Sequence, residues 1–96
     1  MTVSELKYIF VRDLNTGVGR LDTLVVFPDF ISHDQMTRNI GKTKDDIIGA
    51  GFCVIGHDKE TTRCYGKSVS LGKETTNECT YQLRRMTGVI DPFLDE

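Results

Sequence analysis

Ninety-six residues, 39% hydrophobic and 27% charged, are enough for one domain with a modest core. A net charge of −2 and a pI near 5.6 exclude the strong basic footprint of a nucleic-acid-coating protein and the polybasic patch of a membrane-surface protein. No apolar run approaches the length of a membrane span, and MTVSELK at the start has no charged-then-apolar leader pattern, so a soluble cytoplasmic chain is expected. In that compartment three cysteines are expected as free thiols.

In chain order, residues 1–5 read as a frayed lead-in. Leu6 to Arg12 is a first strand, rich in β-branched and aromatic residues. Asp13 to Arg20 carries Asn15, Gly17 and Gly19 and reads as a turn. Leu21 to Phe27 is a second strand. Its continuous run Leu24-Val25-Val26-Phe27 indicates burial on both faces and a central place in a sheet. Pro28 ends it.

Ser32 opens a short helix. Ser32 and Gln35 have capping-box spacing, and Ile31 and Met36 have the spacing of a hydrophobic staple. Met36 and Ile40 lie one turn apart on one face, and Gly41 is a ready terminator. Lys42 to Asp46 is a polar connector.

Ile47 to Leu71 holds the central hairpin: Ala50 to Ile55, a polar loop His57 to Glu60, and Thr61 to Ser70. With that loop, Val54 pairs with Arg63 and Cys53 with Cys64. Alternation then sorts the hairpin into two faces. One face carries Gly49, Gly51, Cys53, Cys64 and Ser68 and is small and smooth. The other carries Phe52, Val54, Arg63, Tyr65 and Lys67 and is aromatic and cationic. A smooth face lets a helix approach closely, so both helices are expected on the Cys53/Cys64 side. The competing arrangement makes the aromatic face the core.

Thr75 and Glu78 have capping-box spacing at the start of a last helix, and Cys79, Leu83 and Met86 form its apolar stripe. Gly88 stops it, and residues 89–96 are a tail in which Ile90, Phe93 and Leu94 can pack back. The fold class is therefore α+β: a two-layer sandwich of order ββαββα, a four-stranded, largely antiparallel sheet with two short helices on one face. Strand order is left open.

SHDQM at Ser32 to Met36, GAGFC at Gly49 to Cys53 and CYGKSVSLG at Cys64 to Gly72 resemble a group of small phage and prophage proteins, over about half of the chain. The resemblance implies a phage or mobile-element origin. It carries no activity onto any residue here.

The constellations that carry chemistry are weak. Cys53, His57, Cys64 and Cys79 lack the paired short spacing of a zinc knuckle. Cys79 falls near a helix start, but neither His33 nor His57 is placed beside it as a base. TGVGR has no following helix to bind phosphate. No catalytic residue, metal ligand or cofactor is assigned, and the chain is read as a non-enzyme. The remaining candidate is a partner-binding surface made of Phe52, Tyr65, Arg63 and Lys67, because Tyr, Phe and Arg dominate contact hot spots. The expected function is a phage-encoded accessory protein that binds a bacterial host protein, for example a component of a defence system. The alternatives are a sheet platform for single-stranded nucleic acid, which the overall acidity disfavours, and a homo-oligomeric phage structural or assembly protein, with a homodimer as its simplest form.

Overall fold

The computed structural model describes residues 5–89 apart from 16 and 18. Of the lead-in expected over residues 1–5, residues 1–4 lie outside the described residues, as do residues 90–96 of the expected C-terminal tail. Glu5, expected in the lead-in, is instead the first residue of a strand.

Four strands form one antiparallel sheet: β1 (Glu5–Asn15), β2 (Arg20–Phe27), β3 (Ile47–Val54) and β4 (Arg63–Tyr65), in the order β2-β1-β3-β4. Helix α1 (His33–Asn39) links β2 to β3 across β1, and α2 (Asn77–Thr87) closes the described chain. The α+β class, the ββαββα order and the antiparallel sheet match the sequence pattern. The run Leu24 to Phe27 lies in an edge strand rather than a central one, and β1 and β3 occupy the middle. Burial on both faces is nonetheless real there, because Leu24 packs in one cluster and Phe27 in the other.

The helices do not share a face. On β1, Tyr8 and Phe10 point one way and Ile9 and Val11 the other. Tyr8 and Phe10 pack with Leu24, Cys53, Cys64, and with Cys79 and Leu83 of α2. Ile9 and Val11 pack with Phe27, Ile47, Ala50 and Leu71, and against Ile31, Met36 and Ile40 around α1. The sheet is thus covered by α2 on the thiol face and by α1 on the Phe52 face. The physical reason is that β1 and β2 are apolar at both parities, so each face needs its own cover.

α1 starts and stops as its residues dictate. The Ser32 hydroxyl accepts from the Gln35 amide at 3.1 Å, and Ile31 and Met36 pack into the same cluster. At its end the Lys42 amide bonds the Thr37 carbonyl across Gly41 (φ 73°). The connector that follows is a capped single turn, Lys44–Asp46. Asp46 accepts from the Thr43 amide and hydroxyl at 3.0 and 3.2 Å, and the amide bond above all holds its carboxyl below the usual range.

The central hairpin has the expected register: Val54 opposite Arg63, Cys53 opposite Cys64, Phe52 opposite Tyr65. Its tip is closed by Asp58, whose carboxylate accepts from the Thr61 hydroxyl at 2.9 Å and amide at 3.0 Å. The expected strand Thr61 to Ser70 is broken, however. Gly66 takes φ 78°, which turns the chain out of the sheet, and Lys67–Ser68 (β5) pairs instead with Lys73–Glu74 (β6). That ribbon packs beside β3. A side chain at Gly49 would meet the Cys79 Sγ at 2.9 Å and the Glu74 carbonyl at 3.0 Å. The smooth face serves close approach, as its composition indicates.

Two details of α2 differ from the sequence pattern. Its N-cap is Thr76, while Thr75 accepts a 2.6 Å hydrogen bond from the buried Tyr8 hydroxyl. Thr75 is therefore committed to a long-range contact with β1. Cys79 and Leu83 are fully buried, but Met86 is 54% exposed, because the last turn of α2 runs past the rim of the core. Gly88 (φ 77°) ends the helix, with the Val89 amide bonded to the Arg84 carbonyl.

Candidate binding surface

Five side chains form a row across the α1 face of the sheet. Phe27 on β2 meets His33 edge-on at 5.7 Å between ring centroids, and His33 meets Phe52 on β3 in the same way at 5.7 Å. Phe52 stacks on Tyr65 of β4 at 6.0 Å, and the Arg63 guanidinium lies 5.7 Å from the Tyr65 centroid. Pairing of β3 with β4 positions the outer half of the row, and α1 positions the inner half.

Burial falls along the row. Phe27 and His33 are buried, Phe52 and Tyr65 half-buried, Arg63 exposed. His33 is anchored: its Nε2–H donates to the Gly51 carbonyl at 2.7 Å, and burial lowers its pKa despite that bond. A neutral ring with Nε2–H is the form that this geometry holds. Tyr65 is anchored at its far end, where its hydroxyl donates to the Glu5 carboxylate. Lys7, next along β1 on this face, donates to the Ile31 carbonyl at 3.1 Å and ties the start of α1 to the sheet.

Phe52, Tyr65 and Arg63 are therefore brought together as the alternation of the hairpin indicates. Lys67 is exposed, but the turn at Gly66 moves it onto β5, out of the strand that carries Arg63 and Tyr65. His33 within the row and Glu5 at the Tyr65 hydroxyl come from outside the hairpin. Sequence spacing cannot find either, since His33 comes from α1 and Glu5 from the far end of β1. The expected uncovered aromatic face is corrected in part: α1 covers its inner half because Ile9, Val11 and Ala50 need shelter, and only the half around Tyr65 stays open.

The opposite face holds the thiols. Cys53, Cys64 and Cys79 are buried and free. Burial pushes the Cys53 thiol up to about 11 and raises Cys64 further. Cys53 and Cys64 are thus packing groups held in the protonated form, poor as nucleophiles. His57 sits exposed at the hairpin tip, so it does not join them. Among the described residues no group of three His, Cys, Asp or Glu side chains is arranged to hold a metal ion.

The outer edge of β4 is sealed. The Thr80 hydroxyl of α2 accepts from the Cys64 amide at 3.0 Å and donates to the Cys64 carbonyl at 3.3 Å, and Arg84 Nε donates to the Thr62 carbonyl at 2.8 Å. Contact by addition of a strand is thereby blocked at this edge, and what remains open is side-chain surface. No helix among the described residues is long and apolar enough to cross a membrane. No protein-family model matches the chain, and no curated protein or solved structure is significantly similar to it.

Proposed function

We propose that this chain is a non-enzymatic protein-binding module whose contact surface is centred on Tyr65. In keeping with the resemblance to phage and prophage proteins, its partner is a bacterial host protein. One observation carries the reading. Tyr65 stands half-exposed on an edge strand, packed against the Phe52 ring and the Arg63 guanidinium and held by Glu5 at its hydroxyl. A pre-ordered aromatic ring beside an exposed guanidinium loses little side-chain freedom on binding, which is the property of a hot-spot residue. The same packing disfavours a base-stacking platform, since Phe52 and Arg63 already pack against the ring that a base would need.

The test is capture from bacterial lysate by the full chain, followed by reconstitution with the purified partner. Tyr65→Ala and Arg63→Ala should each weaken the reconstituted complex by about 2 kcal/mol, roughly thirtyfold. Far-ultraviolet circular dichroism should show both variants folded. A complex that forms with unchanged affinity in Tyr65→Ala would place the contact elsewhere.

A further inference from the structure

On the far side of β4 from the aromatic row lies a cleft of about 610 Å³ between the hairpin tip and α2. Lys59, Glu60 and Arg63 line it from the hairpin, and Asn77, Tyr81 and Arg84 from α2. Asn77, Tyr81 and Arg84 are spaced i, i+4, i+7, so one helix face looks into it. We propose that this cleft seats a carboxylate side chain of the partner protein, an Asp or Glu within an acidic segment. The inference rests on the protein-binding reading and names the chemistry of the partner.

Charge carries the proposal. The chain as a whole is acidic, at −2, yet the cleft sets three cations against the single carboxylate of Glu60. Neither Arg63 nor Arg84 forms an ion pair among the described residues, where the ion pair found is Arg38 with Asp34 on α1. Arg84 is also oriented. Its Nε is spent on the Thr62 carbonyl, which fixes the plane of the guanidinium and leaves its terminal N–H groups for a planar oxyanion. Tyr81 adds a half-open ring with the Arg85 guanidinium 5.6 Å from its centroid, so the rim of the cleft is cationic as well. Arg63 borders both the cleft and the aromatic row, which makes the two surfaces continuous.

A carboxylate fits better than a phosphate backbone. A nucleic-acid strand needs a run of cations along its backbone rather than one pocket. The Thr80 hydroxyl is committed to Cys64, so the donors that face the cleft from α2 and β4 are those of Arg63, Arg84, Asn77 and Tyr81.

The experiment titrates the ¹⁵N-labelled full chain at low salt with an acetylated, amidated oligoglutamate peptide. Separate arms use inorganic phosphate and a short oligo-dT strand. The expected result is saturable shifts at Thr61–Arg63, at Asn77–Arg84 and at the Arg84 Nε–H, diminished by salt. Asn77→Asp is the decisive variant. An acidic residue in the first turn favours the helix, so the fold is kept while a negative charge enters the cleft. Peptide affinity should fall about fivefold or more, the scale of one ion-pair contact, with the melting temperature equal or higher. Arg63→Gln should lose a similar factor and Arg63→Lys recover part of it. Absence of peptide shifts at the cleft, equal affinity in Asn77→Asp, or tighter binding of phosphate or oligo-dT at these residues would overturn the proposal. A partner whose capture depends on Tyr65 but not on Asn77 would remove the cleft and leave the protein-binding reading standing.

Discussion

Gly49→Ala tests the close approach of α2 to the sheet. The new methyl group would lie 2.9 Å from the Cys79 Sγ and 3.0 Å from the Glu74 carbonyl oxygen, where apolar contacts settle at about 3.5–4.0 Å. Both neighbours are constrained, Cys79 by its fully buried place in the core and Glu74 by its pairing with Lys67. Either α2 and β6 move out by roughly half an ångström or more, or β3 bends. Overpacking of this kind costs about 1–3 kcal/mol, offset by about 0.4–1 kcal/mol because alanine restricts the unfolded chain more than glycine does. The net expectation is a loss of about 1–2 kcal/mol, a fall of roughly 4–16 °C in melting temperature for a domain of this size. Cys79→Ala removes the nearer of the two clashing atoms. In the double variant the methyl group has space on the helix side and still meets the Glu74 carbonyl. The double-mutant cycle should therefore show a favourable coupling of about 0.5 kcal/mol or more. Urea melts at neutral pH under reducing conditions measure all four corners. A Gly49→Ala protein as stable as wild type, or corners that add to within about 0.3 kcal/mol, would refute the close approach.

Leu83→Ala should destabilise by about 2–5 kcal/mol in the same melts, since Leu83 is fully buried in the α2 cluster; Met86→Ala, at the exposed end of the stripe, should stay within about 0.5 kcal/mol of wild type. His33 gives a pH signature. Burial depresses its pKa, so the folded chain binds fewer protons than the unfolded chain once the pH drops towards the unfolded value of about 6.5. Its contribution is fully present above that pH and is lost as the pH falls through the folded pKa. Stability should decline from about pH 7 towards pH 5, and His33→Gln should flatten that limb. Asp46 and Asp58 have depressed pKa values too, but they act lower, below about pH 4, so the two limbs separate.

The hairpin register was legible because four polar residues, His57 to Glu60, mark the loop, and two-residue alternation then places every side chain. The start of α1 was legible because a cap acts over three residues. The sites that sequence misplaced are those where a distant element claims a residue. Thr75 has the spacing of a helix cap, but the Tyr8 hydroxyl takes its oxygen, and the cap shifts to Thr76. Lys67 continues the alternation of Arg63 and Tyr65 in the sequence, but Gly66 turns the chain and sends it to another ribbon. The division of the helices was open to a closer reading of β1. Tyr8 and Phe10 demand cover on one face, Ile9 and Val11 on the other, and two helices on one side would leave two large β-branched residues in water at a cost of about 1.5–3 kcal/mol each. β3 does not show this, since its Gly49, Gly51 and Cys53 face looks like a surface that asks for nothing. The consequence bears on the binding surface. Once α1 must shelter Ile9, Val11 and Ala50, it can cover the aromatic row only as far as His33. Tyr65 stays open because it lies on β4, two strands away from β1, where α1 is held through Lys7 and Ile31.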